Sequence, residues 1–135
     1  ITAKAGDARR AAAEALGTFD RVLCDVPCSG FGVIAKKPEL RYKNPADTAG
    51  LLPTQREILA AGAGLVRPGG VLVYSTCTLL PAENEEQVGA FLKTHPDFTL
   101  TPFAVGGITA GGFLTLTPDH DGTDGFFVAK FTRKG

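Results

Sequence analysis

The sequence contains neither methionine nor tryptophan, and it has only three cysteines. An odd cysteine count excludes a domain closed entirely by internal disulfides and is typical of a protein in a reducing cytoplasm. The chain also lacks any run of about 18 apolar residues, which excludes a membrane-spanning helix, and it shows no secretory signal. Because methionine is absent and Ile1 opens the chain, we expect a fragment that lacks an N-terminal portion.

An excess of charge of either sign is also missing, since 14 basic side chains balance 14 acidic ones. This balance argues against a protein that coats nucleic acid by bulk electrostatics, although it leaves room for a local basic patch. No metal site is expected, because Cys24 and Cys28 are spaced C-x-x-x-C, Cys77 is distant, and His95 and His120 are isolated. The composition is otherwise that of a globular domain, 44% hydrophobic over 135 residues, which is enough for one core.

Apolar periodicity and turn residues predict alternating helices and strands. The order predicts an α/β fold with an open, mostly parallel sheet and an antiparallel hairpin at its edge. Residues 29–50 have no clear period and are expected to form a long functional loop. The predicted helices are 8–16, Pro53–Val66 and Glu83–Thr94. The predicted strands are Phe19–Val26, which is expected to be covered on both faces, Val71–Tyr74, which follows a turn at Arg67–Gly70, and Phe98–Phe103. The predicted hairpin consists of Phe113–Thr117 and Phe126–Phe131.

Two cysteines follow the two buried strands. Cys28 comes after Pro27, which ends the first strand, and Cys77 comes just past the second. Since sequential strands are usually neighbours and ligands bind beyond the carboxyl ends of such strands, both thiols and Asp25 are expected on one rim of the sheet. There one thiolate could act as a nucleophile while the other thiol handles a proton or resolves an intermediate. Cys24 lies inside the first apolar run and is expected to be a small buried hydrophobe.

Several motifs occur in a fixed order along the chain. Together they resemble the Sun-type RNA cytosine-5 methyltransferases, in particular the bacterial ribosomal-RNA members, over nearly the whole sequence. The resemblance implies the C-terminal half of a Rossmann-like, S-adenosylmethionine-dependent methyltransferase sheet, with 1–135 a partial catalytic domain. The motifs are DVPCSGFG at 25–32, KPELR at 37–41, QREIL at 55–59, YSTCT at 74–78, ENE at 83–85 and DGFF at 124–127.

The resemblance also implies the roles of individual residues. Cys77 would be the thiolate that attacks a cytosine of ribosomal RNA, and Cys28 would assist product release, an order that the residues alone leave open. Asp25 would hold the polar edge of the flipped cytosine, and Asp7, Asp25 and Pro27 would contact S-adenosylmethionine. Asp7 alone could equally be a helix N-cap. We expect the two sulfurs to lie on opposite sides of one pyrimidine.

The family's glycine-rich loop and ribose-binding acidic residue do not occur in these 135 residues. We therefore expect the chain by itself to bind S-adenosylmethionine poorly and not to turn over. The free edge of the first strand should also make it prone to association.

The loop after Cys28 is basic, with aromatic residues between the charges. Such a cluster suits phosphate contacts and base stacking on RNA, which the resemblance implies is small-subunit ribosomal RNA, although charge runs are often only solubilising. The proposed RNA contacts are Lys36, Lys37, Arg41 and Lys43, set against Glu39 and Asp47, with Phe31 and Tyr42 interleaved. The resemblance further implies a cytoplasmic protein without a metal or membrane partner, monomeric at full length.

Two other functions remain open. One is a non-catalytic RNA-binding module derived from the enzyme, in which the thiols are unused. The other is a cysteine-dependent redox or acyl-transfer enzyme, which the absence of a C-x-x-C motif and of a histidine placed near a thiol disfavours.

Overall fold

A mixed five-stranded sheet organises residues 2–13 and 17–135, the part of the chain that the computed structural model describes. The strands of the described chain are β1 (Phe19–Asp25), β2 (Val66–Thr76), β3 (Phe98–Leu100), β4 (Phe103–Val105), β5 (Ile108–Ala110), β6 (Phe113–Leu116) and β7 (Phe126–Arg133). The strand order in the sheet is β1-β2-β7-β3, and β6 pairs with the part of β7 that does not pair with β3. Strands β4 and β5 form a separate hairpin.

Three α-helices and several 3₁₀ turns connect these strands within the described ranges. The helix predicted at Pro53–Val66 begins and ends two residues earlier, as α1 (Leu51–Gly64). The helix predicted at Glu83–Thr94 begins at Glu85, as α2 (Glu85–Thr94), because Pro81–Glu83 forms a separate 3₁₀ turn. Of the helix predicted at 8–16, the described part is a 3₁₀ turn at Ala8–Arg10, and residues 14–16 lie outside the described ranges. The helices are α1 (Leu51–Gly64), α2 (Glu85–Thr94) and α3 (Pro118–Asp121), and two more 3₁₀ turns, Pro38–Tyr42 and Pro45–Gly50, lie in the predicted loop. None of the helices in the described ranges has the length and apolar character needed to span a membrane.

The α/β fold and the β6–β7 hairpin predicted from the sequence are confirmed. Strands β1 and β2 are parallel neighbours, with Asp25 opposite Ser75 at their carboxyl ends. Antiparallel pairing extends beyond the hairpin, since β7 also runs antiparallel to β2 and β3. The two cysteine-bearing turns therefore leave the sheet side by side.

The turn predicted at Arg67–Gly70 is a bulge inside β2. Phe19 pairs with Val66, whereas Arg21 already pairs with Val71, so four residues of β2 stand opposite Asp20 alone. Gly69 has φ +74°, a left-handed conformation that favours glycine. The apolar strand resumes at Val71, as predicted.

The core lies between the sheet and helices α1 and α2. Phe91 of α2 packs edge-to-face against Phe98 and Phe131, with ring centroids 5.4 and 5.0 Å apart. The prediction that the first strand is covered on both faces is wrong for the described chain, because the side chain of Leu23 in β1 is 67% exposed. In the described chain β1 is also an edge strand of the sheet. The β4–β5 hairpin was not predicted; it turns on Gly106 and Gly107, which both have positive φ.

Candidate active site

The Cys28 and Cys77 sulfurs are in direct contact at the carboxyl ends of β1 and β2. Their Sγ atoms are 3.1 Å apart, and the Cys77 backbone N–H donates to Cys28 Sγ at 3.3 Å. The sequence correctly places them on one rim. The expected arrangement on opposite sides of a pyrimidine is not what the structure has, because sulfurs in contact leave no space for a ring, whose atoms each need about 3.5 Å. A base must reach both sulfurs from one side, or the pair must separate.

Burial controls the protonation of the Cys28 thiol. Desolvation, followed by the hydrogen bond with Cys77, raises the pKa of Cys28 to about 12. Cys28 therefore carries its proton at neutral pH, and its S–H can donate to the Cys77 sulfur. Cys24 is buried in the core, where desolvation raises its pKa to about 11, in line with the structural role expected for it.

A closed ring of hydrogen bonds holds the turn that carries Cys28. Gln55 Nε2 donates to the Pro27 carbonyl at 3.0 Å and to Glu83 Oε2 at 2.7 Å. Glu83 Oε2 also accepts the Ser29 N–H at 2.9 Å. The Ser29 and Thr78 hydroxyls, one beside each cysteine, are 2.7 Å apart. The residues that flank Cys28 on both sides are thus bound to Gln55 and Glu83.

The ring of hydrogen bonds was not predicted from the sequence, although the sequence does indicate that Gln55 faces inward. Gln55 lies three residues after Leu52 and four before Leu59, so helical periodicity places its amide on the inward-facing side of α1. A polar residue on that face indicates a buried hydrogen-bonded group. Glu83 was predicted to be the first residue of the helix Glu83–Thr94, and no pattern in the sequence distinguishes it from the nearby glutamates.

Further buried polar groups fix the segment that follows Cys77. The Tyr74 hydroxyl donates to the Glu83 carbonyl at 2.6 Å; burial raises the pKa of Tyr74, so it keeps that proton. Thr76 Oγ1 donates to Asn84 Oδ1 at 2.6 Å, and Asn84 Nδ2 donates to the Thr78 carbonyl at 2.9 Å. Residues 76–84 are therefore folded back against the end of β2.

Three backbone segments meet at Gly32. Its N–H donates to the Cys77 carbonyl at 2.9 Å, and its own carbonyl accepts the Gly125 N–H at 2.7 Å. A Cβ at position 32 would lie 2.0 Å from the Gly125 carbonyl oxygen. Only glycine fits this crossing, and an ion pair between Lys36 and Asp124 joins the same two loops.

The residues predicted to contact the methyl donor have different surroundings. Asp25 and Pro27 are exposed at the rim, and Asp25 accepts a hydrogen bond from Ser75 Oγ at 2.8 Å. Asp7 instead accepts the Arg9 N–H and pairs with the Arg9 guanidinium through both oxygens, which lowers the pKa of Asp7 to about 2. Asp7 thus caps the Ala8–Arg10 turn, the alternative considered from the sequence.

The four basic residues of the loop divide into two pairs. Lys36 forms the ion pair with Asp124, and Lys43 is half-buried, with Nζ donating to the Ser29 carbonyl at 3.3 Å. Lys37 and Arg41 are exposed, beside Tyr42, whose side chain is 92% exposed. The first pair helps to fix the loop, whereas the second faces solvent.

The sequence matches the family model for the 16S rRNA methyltransferases RsmB/F over residues 1–132. The chain belongs to this family. It is 46% identical over 125 residues to the probable ribosomal RNA small subunit methyltransferase B of Bacillus subtilis, covering 87% of this chain and 28% of that protein. It is 42% identical over 133 residues to the ribosomal RNA small subunit methyltransferase B of Erwinia tasmaniensis, covering 97% and 30%. This RsmB/F-family chain thus spans less than a third of the curated relatives it matches.

Solved structures agree with this assignment. The crystal structure of NSun6 from Pyrococcus horikoshii with SFG is similar over 100% of this chain and 35% of its own, with a TM-score of 0.84 and 28% identity. A methyltransferase homolog protein from the same organism is similar over 98% and 44%, with a TM-score of 0.77 and 31% identity. The RsmB/F-family chain therefore has the C-terminal half of a Rossmann-like methyltransferase sheet.

Proposed function

We propose that this chain is part of the catalytic domain of an enzyme that methylates carbon 5 of a cytosine in small-subunit ribosomal RNA. Membership of the RsmB/F family gives the reaction class. The observation that carries the finer assignment is the contact between the Cys28 and Cys77 sulfurs beyond the carboxyl ends of two parallel strands. The reaction needs a thiolate that adds to carbon 6 and a second group that removes the carbon 5 proton, and two thiols in contact on one rim can supply both.

Each thiol has one task in the proposed reaction. The Cys77 thiolate adds to carbon 6 of the cytosine, so a sulfur–carbon bond forms and an electron pair moves to carbon 5, which is then methylated. For release, Cys28 first gives its own thiol proton to solvent and the resulting thiolate takes the carbon 5 proton. The ring double bond then re-forms, and the bond to Cys77 breaks to return the thiolate. Asp25 holds the polar edge of the flipped base.

The surroundings of Cys28 suit a thiol that carries a proton in the resting site. Burial, and then the hydrogen bond with Cys77, raise its pKa. Its S–H can donate toward the Cys77 sulfur, which lies 3.1 Å away. Once its own proton has left, Cys28 is a strong base and suits removal of the carbon 5 proton.

S-adenosylmethionine supplies the methyl group when it is bound. Asp25 fits a role in holding it, because the carboxylate is exposed at the thiol rim and can attract a cationic group, and Pro27 lies beside it. Asp7 fits only if it releases Arg9, since the guanidinium engages both carboxylate oxygens. The related NSun6 structure contains SFG, an analogue of S-adenosylmethionine, which supports this cofactor.

For RNA we propose that Lys37 and Arg41 contact phosphates and that Tyr42 stacks on a base, because all three are exposed. Lys36 and Lys43 belong to the proposed interface too, although their contacts with Asp124 and the Ser29 carbonyl also fix the loop. We further propose a monomeric cytoplasmic protein, since the free thiols require reducing conditions.

The test uses the full-length protein, small-subunit RNA and labelled S-adenosylmethionine. Cys77→Ala should abolish methyl transfer and any covalent RNA adduct. Cys28→Ala should accumulate an adduct that survives denaturation, with little turnover. The control is Cys24→Ala, the third free cysteine, which should behave as wild type. Methyl transfer by Cys77→Ala would refute the mechanism, and RNA binding without transfer or adduct in the wild type would favour the non-catalytic module.

A further inference from the structure

We propose that Gln55 and Glu83 are positioning residues for the release step, because they hold Cys28 against Cys77. This inference rests on the function proposed above and adds to it two residues outside the cysteine motifs. Neither residue touches the sulfurs. Their action is on the backbone that carries Cys28.

The hydrogen bonding of the pair is complete toward the Cys28 turn. Gln55 Nε2 has two N–H groups and uses one on the Pro27 carbonyl and the other on Glu83 Oε2. The same oxygen accepts the Ser29 N–H. The backbone is thus held immediately before and immediately after Cys28, which leaves its turn little freedom to shift.

Among the described residues, the second side-chain oxygen of Glu83 and the amide oxygen of Gln55 lack hydrogen-bond partners. Gln55 and Glu83 are both 0% exposed, yet Gln55 Oε1 and Glu83 Oε1 have no hydrogen-bond partner among the described residues. Burying polar oxygens without partners lowers stability, and apolar side chains of similar volume are often at least as stable in such places. Stability alone therefore does not account for this pair, whereas its bonds to the Cys28 turn do.

Glu83 also connects the two cysteine-bearing turns. It follows Cys77 in the chain, and the Tyr74 hydroxyl fixes its backbone through the Glu83 carbonyl. The ring of bonds therefore extends from the Cys77 side of the site to the Cys28 turn. Its loss should let Cys28 move away from Cys77 while Cys77 stays at the end of β2, so release should suffer more than attack.

The test compares Gln55→Leu with Gln87→Leu in the full-length protein. Gln87 is a matched control, because it is 1% exposed on α2 and its Oε1 accepts a hydrogen bond from Arg56 Nε at 3.2 Å rather than from a cysteine-bearing turn. We expect Gln55→Leu to lower kcat by roughly tenfold or more with KM for RNA nearly unchanged, and to accumulate the adduct that is expected for Cys28→Ala. Gln87→Leu should stay within about twofold of wild type.

Glu83 provides a rescue experiment. Glu83→Ala should behave like Gln55→Leu, whereas Glu83→Gln should recover most of the activity, because an amide oxygen can accept from both Ser29 and Gln55. Denaturation midpoints of all variants identify any that fail to fold.

A second readout is independent of methyl transfer. Diamide oxidises two thiols to a disulfide and takes up their two protons and two electrons as the hydrazine. The rate of Cys28–Cys77 disulfide formation should fall about tenfold in Gln55→Leu and not in Gln87→Leu. Equal disulfide rates and equal turnover in these two variants would overturn the inference while leaving the methyltransferase proposal intact. A wild-type protein that oxidises rapidly but transfers no methyl group would instead overturn the proposed function, and with it the release role.

Discussion

Substitution of Gly32 by alanine should damage the fold and the site together. The new Cβ would lie 2.0 Å from the Gly125 carbonyl oxygen and 2.9 Å from the Cys77 carbonyl oxygen. Both atoms are backbone, so neither can rotate away. The loop must shift by more than about 1 Å before the contacts become ordinary, and that shift removes the Gly32 N–H from Cys77.

The cost follows from what the shift breaks. Two backbone hydrogen bonds at Gly32, of 2.9 and 2.7 Å, contribute about 1 kcal/mol each, and overpacking adds about 1–3 kcal/mol. The free energy of unfolding should therefore fall by about 3–5 kcal/mol. Cys77 should also lose its register with Cys28, so methyl transfer should drop more than a stability loss alone would cause.

Urea denaturation and single-turnover methyl transfer of the full-length protein measure the two effects. Gly89→Ala is the control, because Gly89 lies in α2 and a Cβ there meets nothing within 4 Å. It should raise stability by about 1 kcal/mol through helix propensity and leave activity unchanged. A Gly32→Ala protein with a wild-type midpoint and wild-type activity would refute the reasoning.

Three further predictions concern pH, RNA and association. The free energy of unfolding should fall as pH rises from about 9 through about 11, because the Cys24 thiol ionises first in the unfolded chain. Urea titrations at several pH values should show a smaller fall for Cys24→Ala. An equal dependence of the free energy of unfolding on pH in the two proteins would contradict this prediction. Lys37→Glu should weaken RNA binding by several-fold in low-salt filter binding, whereas the exposed Lys93→Glu on α2 should not; equal losses would argue against the loop interface. Leu23→Lys should reduce self-association of the 135-residue chain in analytical ultracentrifugation if the β1 edge causes it, and undiminished association would exclude that edge.

The elements that position the thiols could be predicted because their signals are local. Apolar runs ended by Pro27 and followed by Cys77 identify two strand ends, and the rule that sequential strands are neighbours brings them together. The β6–β7 hairpin was predictable from two apolar segments around a turn-rich stretch. The exposure of one face of β1 could not be predicted, because an apolar run does not show which faces of a strand are covered by the rest of the protein.

The polar half of the site could not be predicted for a different reason. Helical periodicity indicates that the Gln55 amide faces inward, but it does not identify the partners of that amide. Its contact with Glu83 joins two positions that lie 28 residues apart in the chain. The contacts of the basic residues in the loop after Cys28 could not be predicted from the sequence either. Its charge pattern cannot reveal that Lys36 forms an ion pair with Asp124 while Lys37 faces solvent.

The parallel pairing of β1 with β2 has a consequence for folding. The two sulfurs are separated by 49 residues of chain and meet only when this non-local pair has closed. Closing a loop of that length costs entropy before any contact compensates it, and parallel pairs accordingly form slowly. Assembly of the thiol pair should thus be a late event, and the time at which the two sulfurs become cross-linkable during refolding would report when the sheet closes.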